Sequence, residues 1–141
     1  MKIDFEKEKD WKAAAQLYDQ LASKGTSKYQ EKALRMAGKL YFFELKDYAS
    51  ALKQFNQLSR LTTKSDALIE SLRGEVRSYY HLKQWMQGRD ASNALISNAA
   101  ANQDDQSFAE IVLGYAAVLF VWLNYAVHAK YWVPYQNTLF Q

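Results

Sequence analysis

Apolar positions along this chain fall at three- and four-residue steps, the period of an amphipathic helix, in stretches parted by short polar breaks. In residues 11–24, Trp11, Ala14, Ala15, Tyr18 and Leu21 share one face, and Gly25 closes the stretch. Ser27 with Gln30 reads as a capping box for a second helix over 28–45, with Ala33, Leu34, Ala37, Tyr41 and Leu45 inward. Lys46-Asp47 makes a polar turn. A third helix over 48–61 turns Ala51, Phe55 and Leu58 inward, and a fourth over 67–82 carries Leu68, Leu72, Val76 and Tyr79. Lys83-Gln84 turns again, and a fifth helix is expected from Trp85 to about Ala99, weakened by Gly88. Ser107 with Glu110 reads as a further capping box. The next helix is therefore expected to begin near Phe108 and to end at Pro134, followed by a loose tail.

One phrase punctuates this order. Phe42-Phe43-Glu44-Leu45-Lys46-Asp47-Tyr48 returns 37 residues later as Tyr79-Tyr80-His81-Leu82-Lys83-Gln84-Trp85, and a worn copy runs from Phe5 to Trp11. Downstream of it, Ala14, Ala51 and Gly88 share one position, Tyr18, Phe55 and Ser92 a second, and Leu21, Leu58 and Leu95 a third. Self-similarity at such a period is the signature of stacked repeats. The helix ahead of Phe42 holds one residue more than strict alignment allows: Arg35 and Lys39 precede Arg73 and Arg77 by 38 residues, not 37.

Over residues 5–99 this pattern resembles the tetratricopeptide repeat: an aromatic late in the first helix, a turn, an aromatic opening the second, then small and large apolar residues in alternation. The lengthened unit is similar to that of bacterial envelope-associated members of the family. The resemblance implies an all-α fold of antiparallel helix–turn–helix repeats forming a short right-handed α-solenoid. Residues 1–99 would hold the repeats, with units near 1–24 (partial), 28–61 and 67–99. Residues 100–141 would form a divergent apolar helix or helix pair.

Composition narrows the chemistry. The chain has no cysteine, which excludes disulfides and thiolate sites, and a single proline, Pro134, which suits an all-helical chain. The net charge of +3 is unevenly spread. Residues 1–90 hold 17 Lys/Arg against 12 Asp/Glu, interleaved as on a solvated helical surface and unlike a nucleic-acid patch. The first ten residues lack the apolar core of a signal peptide, so bacterial cytoplasm and envelope both fit. No phosphate-cradling loop, nucleophile elbow or zinc-protease helix occurs, and His81 and His128 stand apart without ligand spacing, so no enzyme, cofactor or metal is expected.

The candidate site is a cationic stripe. Lys28, Lys32, Arg35 and Lys39 share one helix face, and Arg73 and Arg77 hold equivalent places one unit on. The first helices of tetratricopeptide units line a concave groove. By that resemblance Lys32, Arg35, Lys39, Arg73, Arg77, Tyr80 and His81 would face a protein or peptide partner, an acidic one given the cations. The plain alternative is that long cations populate any solvated helix face. The aromatics of the repeated phrase read mainly as core, with Phe43 or Tyr80 as the ones that could reach a ligand.

Residues 111–127 carry no charge, and extension to Ala129 meets only His128. Three readings fit this run: buried last helices with a degenerate turn, a membrane span, or an apolar end that self-associates. The expected function is thus a non-catalytic interaction or scaffold module, and the alternative is an assembly or membrane-associated subunit docking through residues 108–133.

Overall fold

The computed structural model describes the backbone of residues 5–139, and the side chains of residues 9–130 apart from Ser27. Among the described residues the chain is all-helical: α1 (Phe5–Lys24), α2 (Ser27–Lys39) continued by a π-helical turn (Leu40–Glu44), α3 (Tyr48–Leu61), α4 (Ser65–Leu82), α5 (Arg89–Ser97) and α6 (Gln103–Leu139). Each helix packs chiefly on its neighbour in the chain, as short connections require, and α4 also meets α6 and, lightly, α2.

The repeated phrase is an elbow. Both of its lysines leave the helix in the left-handed region, Lys46 at φ 54° and Lys83 at φ 56°. At the second elbow the Gln84 N–H donates to Tyr79 O at 3.0 Å, the closing bond of a Schellman cap. At the first, the matching Asp47 N–H reaches one residue further back, to Tyr41 O at 2.8 Å. The surplus residue in this unit is absorbed here. Leu45 N–H bonds to Leu40 O at 3.0 Å, five residues back, within the π turn. The 38-residue offset ahead of the turn and the 37-residue offset after it are the two sides of that insertion. Asp47 then caps α3, accepting from the Ser50 N–H at 3.2 Å.

Two cores result. Ala22, Ala33, Leu34 and Leu58 join α1, α2 and α3, with Tyr18 against them. Ile69, Leu72, Val76, Leu95, Ala109 and Val112 join α4, α5 and α6. Helix α4 lies between them and is buried on two sides. Its large apolar residues face α5 and α6, while a second stripe of Ser71, Gly74, Glu75 and Ser78 is buried as well. Phe55, only 3% exposed, links the halves. A methyl group added at Gly38 of α2 would sit 2.9 Å from its ring, and one at Gly74 of α4 would overlap the ring outright. The two glycines are the slot in which the Phe55 ring lies.

Several expectations change. Helix α1 begins at Phe5 rather than at Trp11, and its Leu21 faces solvent while Ala22 is buried. Among the described residues α1 packs on α2 and the π turn. Ser27 is the first residue of α2, and the N-cap, Thr26, makes no side-chain capping bond. Helix α5 starts at Arg89, four residues after Trp85: Trp85–Gly88 form turns, and a methyl group added at Gly88 would sit 2.9 Å from Val112 and 3.0 Å from Tyr79. The box expected at Ser107 lies five residues earlier. Asn102 Oδ1 accepts from the Asp105 N–H at 2.8 Å, and Asp105 Oδ2 accepts from the Asn102 N–H at 3.0 Å. Helix α6 therefore starts at Gln103, five residues ahead of the expected start near Phe108.

The largest change concerns residues 111–127, which do not fold into a pair of buried helices. Helix α6 is unbroken and runs through Pro134 to Leu139. Phe120 stands 37 residues after Lys83, where a third elbow would need a left-handed residue. A phenylalanine disfavours that conformation and the helix continues.

Candidate functional site

Helices α2 and α4, which lead into the two copies of the repeated phrase, are separated by a furrow. Its walls follow from the helical period, which sets Lys28, Lys32, Arg35 and Lys39 along α2, and Asp66, Glu70, Arg73 and Arg77 along α4. Glu70 bridges the furrow midway. Its carboxylate pairs with Arg35, and with Lys39 Nζ at 2.7 Å. Burial alone would raise the Glu70 carboxyl, but the hydrogen bonds and charges of Lys39 and Arg35 outweigh it and hold the group below its ordinary value.

The bridge divides the furrow in two. Toward the start of the helices lies a groove of about 420 Å³ lined by Lys28, Tyr29, Lys32, Arg35, Lys64 and Asp66. Toward the elbow lies a cleft of about 290 Å³ lined by Phe42, Phe43 and the buried Phe55. Lys39, Glu70, Arg73 and Arg77 rim it, and Gly74 opens the wall beside Phe55. Phe43 is 61% exposed, so an apolar ring stands at the mouth beside three cations.

Arg73 and Arg77 do a second job. Asp105, at the start of α6, is fully buried and receives Arg73 Nε at 2.7 Å and Arg77 Nη1 at 3.1 Å. Burial would raise this carboxyl too. The Asn102 N–H and the two guanidinium groups outweigh it and hold Asp105 below its ordinary value. Arg77 also lies over the Phe108 ring, 4.7 Å from its centroid. The stripe is therefore built into the fold: α2 reaches with Arg35 to an acid on α4, and α4 with Arg73 and Arg77 to an acid on α6.

The seven expected site residues separate into groups. Lys39, Arg73 and Arg77 line the cleft, Arg35 stands at the Glu70 bridge, and Lys32 lies in the neighbouring groove. Tyr80 and His81 face the elbows instead. Tyr80 packs edge-on against Phe108 and Trp85 with centroids 5.2 and 5.9 Å away. His81 stacks on Tyr48 at 4.1 Å, and burial and the nearby Lys46 charge hold its pKa below the ordinary value. Phe42, Phe55 and Glu70 belong to the cleft and were not among the expected site residues. Glu70 carried a sequence signal, being an acid on the α4 face that bears Arg73 and Arg77, one turn before Arg73.

Behind the cleft, Glu75 is 5% exposed and accepts from Ser59 Oγ at 2.7 Å. Burial pushes its carboxyl up to about 7, against the lesser opposing effects of Ser59 and Arg60. The folded chain holds this proton more tightly than the unfolded chain. Stability from this group is therefore full below about pH 4.5 and falls as pH rises toward 7, by about 3 kcal/mol at most. Glu75→Gln is expected to be more stable than the parent at pH 8 and to lack that loss, as read by urea unfolding at pH 5, 6, 7 and 8. His81 acts with the opposite sign but is present in both proteins, so their difference isolates Glu75. Parallel stability curves would refute the assignment.

No family model, curated protein or solved structure matches this chain.

Proposed function

We propose that this chain is a non-catalytic, tetratricopeptide-like interaction module that holds an extended segment of a partner protein in the furrow between α2 and α4. The observation that carries the reading is the cleft below Glu70. An aromatic lining of Phe42, Phe43 and Phe55 beside Lys39, Arg73 and Arg77 suits a bulky apolar side chain next to a carboxylate. Asp105 engages one edge of each arginine, through Arg73 Nε and Arg77 Nη1. Each guanidinium has five N–H donors, so donors remain for an incoming carboxylate. The carboxylates here serve as ion-pair partners, with Glu70 and Asp105 both held below their ordinary values. That favours binding over acid–base chemistry. The two elbows sharing a left-handed lysine, and the equivalent helices they join, support the repeat reading of the fold.

Charge reversal of Arg73 and Arg77 is a poor probe, because it would strip Asp105 of its partners and unfold the base of α6. Phe43 is the better one, since its ring is exposed and its loss spares the ion pairs. In fluorescence anisotropy against a library of labelled dodecapeptides, the tightest binders are expected to place an acidic residue beside an aromatic or large aliphatic one. Their affinity should fall as salt rises from about 0.05 to about 0.5 M. Phe43→Asp is expected to weaken them about tenfold, or roughly 1.4 kcal/mol, with the melting temperature unchanged. A library without binders, or binding indifferent to both Phe43→Asp and Lys39→Gln, would rule the groove out.

A further inference from the structure

Helix α6 has two regimes. Over its first turns one stripe is covered: Asp105, Ala109, Val112 and Ala116 are 0–1% exposed against α4 and α5. Beyond Ala116 the cover ends, because α5 is only 9 residues long while α6 has 37. Val118, Val121, Trp122 and Tyr125 are then 64–73% exposed on one side, and Phe120, Leu123 and Val127 are 50–55% exposed on the other. Successive residues turn by about 100°, so these side chains surround the helix rather than forming a stripe.

We propose that α6 crosses a lipid bilayer and fixes the repeat array to the membrane surface. This inference is independent of the groove. Residues 111–129 are 19 long and contain no charged residue, with only His128 interrupting them. At about 1.5 Å per residue this run is about 28 Å long, and beyond the covered Ala116 the helix continues for 23 residues, about 34 Å, to Leu139, enough to cross the roughly 30 Å of a hydrocarbon core. The charges nearest this run are Glu110 and Lys130, one just outside each end. Within Gln103–Lys130 an 18-residue window has a mean hydropathy of 1.7 with 11% of it buried, so the core of this protein does not account for its apolarity. Aromatics mark the depths expected of interfacial belts. Trp85 and Tyr115 stack at 4.5 Å where α6 leaves the array, and Tyr131 and Trp132 follow Lys130 in sequence. Lys130 lies where its stem can carry the ammonium to the far interface.

All-round apolarity decides between a bilayer and a second copy of the chain. Association of two helices buries one seam and leaves the rest of each surface in water. A bilayer covers every side, and a helix meets its demand that all backbone groups bond internally.

The test is synthesis of the full chain with phosphatidylcholine liposomes, followed by flotation and an alkaline carbonate wash. The parent is expected to float and to resist the wash. Val121→Lys places a charge near mid-span and should reduce the carbonate-resistant fraction roughly a hundredfold. Leu17→Lys, on the exposed outer face of α1, should float as the parent does. The liposome-free Val121→Lys chain should keep its helical circular dichroism. A parent that remains off the liposomes as a monomer, a discrete oligomer or an aggregate would overturn the proposal. So would a Val121→Lys chain that floats and resists carbonate like the parent.

Discussion

Asp105→Ala is expected to lower the unfolding free energy by about 3 kcal/mol or more. The change removes two structures at once. Asp105 is the N3 residue of the α6 capping box, and loss of its bond to the Asn102 N–H frees a helix-terminal donor. It is also the fully buried anion shared by Arg73 and Arg77, which remain as cations at 34% and 22% side-chain exposure with no counter-charge. Removing the buried member costs more than the pair itself contributes, because the guanidinium edges turned inward to Asp105 lose their partner while only the outer edges reach water. Asp105→Asn keeps the capping acceptor and should fall between the parent and Asp105→Ala. Replacing all three, as Arg73→Met, Arg77→Leu and Asp105→Leu, should recover much of the loss, since the buried charges leave together. Urea unfolding followed by far-ultraviolet circular dichroism orders the four proteins. A neutral Asp105→Ala would mean that water, not the two arginines, satisfies this carboxylate. The pH dependence has a definite sign. Asp105 and Glu70 are held below their ordinary values, so what they contribute is complete above the ordinary carboxyl range and is lost as pH falls through their lowered values.

The elbows were legible in the sequence because each is a local device. Lys46 and Lys83 end their helices within a few residues of the aromatics that flank them, so both copies of the phrase turn at a left-handed lysine. The surplus residue ahead of Phe42 was legible as a count, and its resolution as a π turn is the usual fate of a one-residue insertion in a helix that is packed on both ends. The cationic stripe could be read as a stripe but not as a clamp. Its acids, Glu70 and Asp105, lie 35 and 32 residues after Arg35 and Arg73. Those spacings break the repeat, and only packing brings the pairs together. The second buried face of α4 was hidden for a different reason. Ser71, Gly74, Glu75 and Ser78 are small or polar, so a search for apolar periodicity passes over them, though their three- and four-residue steps are as regular as those of Leu72 and Val76. The end of the array could be located, because the phrase fails near Phe120. What replaces it could not, since a long apolar helix and a degenerate pair share one hydrophobic pattern.

The small stripe on α4 leads to the second large effect. Phe55→Ala is expected to cost about 3–5 kcal/mol, the range for emptying a buried phenylalanine site. The ring lies between Gly38 and Gly74, where backbone forms much of the wall, so the cavity can collapse only by moving α2 toward α4. That movement would compress the Glu70 bridge and close the cleft that Phe55 lines. Loss of stability and loss of groove binding should therefore appear together here, whereas Phe43→Asp should separate them. The complementary substitution approaches the same slot from the other wall. Gly74→Ala would ordinarily favour a helix by about 1 kcal/mol, yet its Cβ would overlap the ring, so the expected result is net destabilisation. Pairing Gly74→Ala with Phe55→Leu gives the methyl group room. The double variant should be more stable than the sum of the two single losses by about 1 kcal/mol or more, the coupling of residues in direct contact. Strict additivity in that cycle would show that the ring and the glycine do not share the space assigned to them.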